Sequence, residues 1–337
     1  MKAVVLVGGE GTRLRPLTET TPKPLLPLVD RPILDHVLDH LVAHDVREVV
    51  MSSPYLEDTF HPFIEARGGE PSITWITERE PLGTGGAIVS ALDRLGDEPF
   101  FALNGDILTD LDLGAMRAGH ELHGAAVTIA LHHVDDARAF GLVETDDGGR
   151  VTAFLEKPAE PVAGDINAGT YLLEPSVLRR WPPDTYVWIE GEVFPSLIEG
   201  GVAVRGFRGD AYWLDLGTPE QYLRAHLDLL EGRVRGSSYE APWIGPRATV
   251  DPAARLGRGV AIGPGAEIGA GAVVDESVLL PEARVSRGAT ARRSVLGRGS
   301  VIGEGAVVLD SVLGDGVVTE PGATLDGARF GLDPSKP

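Results

Sequence analysis

The stretch Gly8-Gly9-Glu10-Gly11-Thr12-Arg13-Leu14-Arg15-Pro16 follows directly on the apolar run Ala3–Val7. That run is short, rich in β-branched residues and closed by glycine, so it reads as a buried first strand of an α/β sheet. The glycines let the backbone come close to a ligand, with N–H groups facing anionic oxygens. Arg13 and Arg15 add fixed positive charge, and Lys23 follows in Pro22-Lys23-Pro24-Leu25. A glycine turn at the carboxyl end of a strand, followed by spaced cations, suits a triphosphate. Two other phosphate loops do not account for it. The P-loop needs Gly-Lys-Ser/Thr after its glycines, and the dinucleotide fingerprint needs a glycine where Leu14 stands.

Outward from this loop, strand and helix signals alternate to about residue 230. Ile33, Leu34, Val37, Leu38, Leu41 and Val42 recur at helical spacing. Glu48–Met51, Ile73–Thr77 and Pro99–Leu103 read as the second, third and fourth strands. Gly85–Leu95 and Pro219–Leu230 read as helices, the second with Thr218 as N-cap and proline at its first position. The alternation predicts an α/β fold with a Rossmann-like, mostly parallel sheet and helices on both faces. Ligands in such sheets sit beyond the carboxyl ends of the strands.

The pattern changes after 232–238. Ile244, Val250, Leu256, Ile262, Ile268 and Val274 fall on every sixth position, and glycine often follows them. A six-residue period predicts a left-handed parallel β-helix with three short strands per coil and the aliphatic residue stacked inside. The period lapses near Leu279–Ala291, resumes at Leu296, Ile302 and Val308, and loosens again. The organisation expected is a catalytic domain over 1–232, a linker over 233–243, a hexapeptide-repeat domain over 244–330 and a disordered tail over 331–337. Hexapeptide acyltransferases typically use a histidine base, and the last histidine here, His226, precedes the repeats. The β-helix is therefore read as structural or regulatory and as the contact of a homo-oligomer.

With 337 residues the chain is long enough for two domains. No apolar run approaches the roughly 20 residues that span a bilayer, and no basic region precedes a long apolar segment at the start. Cysteine is absent, which excludes disulfides, thiolate metal sites and cysteine nucleophiles and fits a cytoplasmic protein. A net charge of −20 argues against nucleic acid or an anionic membrane as partner, and makes the cations of the first loop local exceptions.

Several further motifs carry chemistry. Asn104-Gly105-Asp106 and Trp213-Leu214-Asp215-Leu216-Gly217 each place an aspartate past a strand, as a turn or cap residue or as a hard oxygen ligand for Mg²⁺. Glu156-Lys157-Pro158 ends another strand, as a surface ion pair or as ligand groups. The glycines of Pro81-Leu82-Gly83-Thr84-Gly85-Gly86-Ala87 either let backbone groups read a base edge or form a flexible helix entry. His36, His40 and His44 share a helix face, but a zinc site there would also want carboxylates or thiolates. His132 and His133 lie in a strand-like run and point to opposite faces. No Ser-His-Asp or Cys-His pattern emerges, and phosphoryl-group chemistry needs no protein nucleophile.

GGEGTRLRPLT followed by PKPLLPL resembles the signature of sugar-1-phosphate nucleotidyltransferases. LGTGGA, NGD, EKP, NAGTY and WLDLGTPE follow in that family's order. The resemblance implies transfer of a nucleoside monophosphate from a nucleoside triphosphate to a sugar 1-phosphate. Leu-Gly-Thr-x-Gly-Ala is most similar to the guanylyltransferases of the superfamily, which implies GTP; the motifs together resemble enzymes that use mannose 1-phosphate, with glucose 1-phosphate, a heptose phosphate, dTTP or ATP, or a non-catalytic regulatory homologue, as the alternatives. It further implies that Leu6, Gly8, Gly9, Gly11, Thr12, Gly85, Gly86, Asn104 and Gly105 bind the nucleotide. Arg13, Lys23 and Lys157 would be catalytic, and Asp106 and Asp215 would hold Mg²⁺. Glu156, Asn167, Gly169 and Glu190 would bind the sugar, with Lys157 on its phosphate. Trp188, just before Ile189-Glu190, departs from the serine usual in the family.

Overall fold

The computed structural model describes residues 1–54 and 57–331. Of the expected tail, 332–337 lie outside the described residues. Contacts divide the chain into two units: Met1–Gly9 with Val37–Trp213, and Glu10–His36 with the chain from Leu214 onward. The division falls inside the opening signature.

The first unit is built on a mixed sheet. Lys2–Leu6 is central and runs parallel to Glu48–Ser53 on one side and Phe100–Asn104 on the other. Ser72–Thr77 extends the parallel block beyond Glu48–Ser53. Gly164–Leu173 then pairs antiparallel with Phe100–Asn104 and carries the sheet on to Val127–Val134 and Gly141–Thr145. Val151–Glu156 closes that end. The strands that read as unbroken aliphatic runs are the buried ones, Val4, Val50 and Ala102 lying in one core with Ile88, Val89, Ala91 and Leu92 of the helix Gly83–Leu95. The chain leaves Lys2–Leu6 toward one side of the sheet and returns to pair on the other. The crevice at the carboxyl ends of Lys2–Leu6 and Phe100–Asn104 is therefore a topological switch point, where such sheets hold ligands.

In the second unit the segment 10–36 packs on the helix Pro219–Leu230, where Thr218 Oγ1 accepts from Gln221 N–H as its N-cap. The Tyr222 hydroxyl donates to the Pro27 carbonyl, and Val29 N–H donates to His226 Nδ1 at 3.2 Å. Burial, reinforced by His36, pushes His226 down to about 3, so it stays neutral. Thr20 Oγ1 donates to Asp315 near the end of the chain at 2.5 Å. Residues 233–242 carry neither helix nor strand.

From Trp243 onward short parallel strands stack in three sheets as a β-helix. Ile262, Ile268 and Val274 line its interior, with Ala266 and Ala272 filling the corners. The apparent lapse of the period is a shortening. Ile244 pairs with Ile262, but Ile262 then pairs with Leu279, Leu279 with Leu296 and Leu296 with Leu313. From the second coil on, each turn takes 17 residues, one fewer than three hexads. The missing residue is lost at one corner, where Glu276, Arg293 and Asp310 take positive φ and a serine follows each. Ser277, Ser294 and Ser311 form a buried ladder. Each hydroxyl donates to the carbonyl two residues back and accepts the N–H of the residue one coil ahead. Leu279, Val285 and Ala291 thus remain interior, one position out of the hexad count.

The ladder makes Ser294→Ala informative. It leaves the buried Ser311 N–H without its acceptor, a loss of about 1–3 kcal/mol. A lower denaturant midpoint is expected, and an unchanged midpoint would show that the ladder contributes nothing.

Candidate active site

In the first unit, the ladders on both sides of Lys2–Leu6 stop at Leu6, opposite Asn104 and Ser52. Val7-Gly8-Gly9 leaves the sheet beside Asn104-Gly105-Asp106, and Gly105 N–H donates to Leu6 O at 2.9 Å. The structure therefore brings Leu6, Gly8, Gly9, Asn104, Gly105 and Asp106 together at the switch point. Gly169 has φ +69°, and a Cβ there would stand 2.7 Å from Asn104 Nδ2, so its lack of a side chain makes room for the carboxamide.

The loop into Gly83–Leu95 is held from both ends. The buried Glu78 carboxylate accepts from Ser52 Oγ at 2.8 Å and from Leu82 N–H at 3.0 Å. Gly85 and Gly86 both donate their N–H to Val187 O, and Val187 N–H donates to Leu82 O. Of the two readings of these glycines, backbone groups at a base edge or a helix entry, the structure shows their amide N–H groups bonded to Val187 O. The two glycines are needed because the segment 185–187 lies against the helix. Glu78 and the Val187 contact escaped sequence reasoning, although an acid shortly before Pro81-Leu82-Gly83 is a visible signal for the first.

A buried polar cluster lies nearby in the same unit. Gly169 N–H donates to Asn167 Oδ1 at 3.0 Å, and Asn167 Nδ2 donates to the Tyr171 hydroxyl at 2.7 Å. That hydroxyl donates to Glu190 Oε1 at 3.3 Å, while Thr84 Oγ1 donates to Glu190 Oε2 at 2.8 Å. Burial raises the Glu190 carboxyl above its ordinary range, opposed by the Thr84 hydrogen bond, and burial holds Tyr171 well above its own. The Glu156 charge acts on both in the same direction as burial. Lys157 has φ +47° and an exposed side chain whose Nζ lies 3.4 Å from Glu156 Oε1. Four of the expected sugar-side residues, Glu156, Asn167, Gly169 and Glu190, are thus gathered, and Tyr171 and Thr84 join them unforeseen. Trp188 is partly exposed and its ring covers Gly191, where an added Cβ would sit 2.2 Å from Cε3.

In the second unit, Asp215 ends the strand Trp213–Asp215 and meets two cations. Lys23 Nζ lies 3.7 Å from Asp215 Oδ1 and Arg13 Nη2 lies 3.9 Å from Oδ2. Lys23 is 8% exposed, held in the turn Lys23–Leu25 between prolines, whereas the Arg13 side chain is open to solvent. Thr12 and Arg13 begin a tight turn after Gly11, whose φ is +60°. The Gly11 carbonyl accepts from Thr18 Oγ1 at 2.8 Å. Arg15 faces Glu10 at 4.0 Å instead of joining this cluster. His36 Nε2 bonds to Leu28 O, and burial holds His40 at about 4 against the ring of His44. Among the described residues no three His, Cys, Asp or Glu side chains converge as a metal site. A divalent cation such as Mg²⁺ asks for fewer protein ligands, one or two carboxylates completed by phosphate oxygens and water.

The chain thus combines a glycine loop at the switch point of an α/β sheet, a partly buried carboxylate–hydroxyl cluster, a cation–aspartate cluster and a β-helix. The nucleotidyl transferase family matches residues 2–232, and the chain belongs to that family. The GMPPB C-terminal domain matches 239–335. The chain is 41% identical to the mannose-1-phosphate guanylyltransferase of Mycobacterium tuberculosis, over 75% of this chain and 72% of that protein. It is 37% identical to the mannose-1-phosphate guanylyltransferase catalytic subunit beta of Danio rerio, over 77% and 73%. Among solved structures, HddC from Yersinia pseudotuberculosis complexed with GMP-PN superposes with a TM-score of 0.59 at 29% identity, covering 66% of this chain and 97% of that one.

Proposed function

We propose that this chain transfers the guanylyl group of GTP to mannose 1-phosphate, forming GDP-mannose and pyrophosphate. The observation that carries the reading is the similarity to proteins of that name in bacteria and animals, over most of both chains. The neighbour solved with GMP-PN supports a guanine base. In this reading the phosphate oxygen of the sugar 1-phosphate attacks the α-phosphorus of GTP in line, and pyrophosphate leaves. The attacking phosphate is already ionised near neutral pH, so no strong general base is required. Arg13, Lys23 and the amides of Gly8, Gly9 and Gly11 stabilise charge that gathers on the phosphate oxygens. Lys157 orients the attacking phosphate, and Glu156, Asn167 and Glu190 accept or donate hydrogen bonds at the sugar hydroxyls. Asp106 and Asp215 would hold Mg²⁺, which when bound neutralises phosphate charge. A homo-oligomer built through the β-helix, in the cytoplasm, belongs to the same reading. The exposed Ile244 of the first coil and the absence of cysteine support it.

Pyrophosphate release across GTP, dTTP, ATP, UTP and CTP against mannose 1-phosphate and glucose 1-phosphate tests this. Release is expected to be fastest with GTP and mannose 1-phosphate, and lost on chelation of Mg²⁺. Preference for another pair would keep the reaction and overturn the substrates. Silence across the panel would make the chain a non-catalytic homologue.

A further inference from the structure

Thr84 sits at the start of the helix Gly83–Leu95, 106 residues from Glu190. Its hydroxyl accepts from Ile189 N–H at 3.3 Å and donates to Glu190 Oε2 at 2.8 Å. The accepted bond settles where the proton goes, because an oxygen already taking Ile189 N–H presents its own O–H to the carboxylate. Tyr171 performs the same service on Oε1. A carboxylate offers about four acceptor positions. A hydroxyl is bonded to each oxygen and the backbone N–H of Glu190 also bonds the carboxylate, which leaves about one acceptor position for an incoming hydroxyl. No Lys or Arg is hydrogen-bonded or ion-paired to Glu190 among the described residues. Nothing at that carboxylate competes with a substrate as a full positive charge would.

We propose that Thr84 is a positioning residue for sugar recognition: its hydroxyl fixes the rotation of the Glu190 carboxylate and keeps its open acceptor position aimed at a sugar hydroxyl. This deepens the proposed function and rests on it. The Thr84 bond also favours the ionised carboxylate that burial opposes, which is the form that only accepts hydrogen bonds. The Thr84 hydroxyl therefore acts on both the orientation and the ionisation of Glu190. The residues on either side are already spent, Gly85 and Gly86 on Val187 O and Leu82 on Val187 N–H. Thr84 is the one member of this helix entry that reaches past the backbone to a side chain of the cluster.

The test compares wild type, Thr84→Ala and Thr84→Ser. A hydrogen bond to a charged group corresponds to roughly a ten- to hundred-fold effect. Thr84→Ala is expected to raise KM for mannose 1-phosphate by about that factor, while KM for GTP and kcat stay within about two- to threefold. Thr84→Ser, which keeps the hydroxyl, is expected to restore the wild-type KM. An equal rise in both KM values, or failure of serine to rescue, would reduce Thr84 to a structural contact and overturn the inference. So would an alanine variant with wild-type kinetics. If alanine prevents folding, Tyr171→Phe removes the second donor from Glu190 and must show the same selective rise. A wild-type enzyme active with GTP and mannose 1-phosphate separates these outcomes from failure of the functional reading, which the wild type alone would reveal.

Discussion

Replacing Lys23 with methionine is expected to lower kcat by about 10²–10³-fold, or about 2.7–4 kcal/mol of barrier, while the protein still folds. Lys23 is the buried member of the cation pair at Asp215, and its turn is braced by Pro22 and Pro24. A cation fixed in this way needs no reorganisation as negative charge develops on a triphosphate, which is the source of its effect. Methionine keeps the length and apolar stem, so packing is largely retained. Removing one partner of a fully buried ion pair costs about 3–5 kcal/mol. Here Asp215 keeps Arg13 at 3.9 Å and some solvent, so the stability loss should fall below that range. Steady-state kinetics beside a thermal melt reads both quantities. A folded variant with undiminished kcat would remove Lys23 from the catalytic set.

Gly86→Ala should be the most damaging small substitution in the sheet unit. Alanine normally improves a helix by about 1 kcal/mol over glycine. At Gly86 the added Cβ would lie 2.3 Å from the Thr185 carbonyl oxygen and 3.0 Å from Leu82 Cβ. The nearer of these is backbone and cannot rotate away. The helix would have to withdraw, breaking the bonds from Gly85 and Gly86 to Val187 O and from Val187 N–H to Leu82 O. Overpacking and the orphaned groups together should cost about 2–4 kcal/mol, more than reversing the helix gain. Gly119→Ala, in the helix Leu113–Leu122 with its nearest neighbour 3.9 Å away, is the control and should be neutral or stabilising. Equal denaturation midpoints for the two variants would contradict the argument.

These cases mark what was legible in the sequence. The first strand, its glycine turn and the aspartates at 106 and 215 were readable because an aliphatic run followed by a polar turn is a local signal. The helix Pro219–Leu230 was readable to the residue, because its cap and proline are local too. The commitment of Gly85 and Gly86 to Val187 was not, since it depends on a segment about a hundred positions away. The same holds for Thr84 and Tyr171 on Glu190, where each residue alone is an ordinary neutral side chain. The grouping of 10–36 with the chain beyond Leu214 also comes from tertiary packing, through Tyr222 and His226. In the β-helix the hexad count failed at one corner, where a five-residue step looks like noise until stacking shows it repeated.

That repeated corner also governs how the C-terminal half tolerates changes in length. With successive coils in register every 17 residues, the serine at each corner is matched to the amide one coil on. Removing or adding one residue within a strand turns the rest of that strand to the opposite face and puts it out of register with the neighbouring coils. Removing or adding a whole coil leaves each remaining neighbour facing a residue of its own kind. The domain is thus quantised in length. Its natural unit of insertion and deletion is the full turn, and an indel of 17 is the mild change while an indel of one is the severe one.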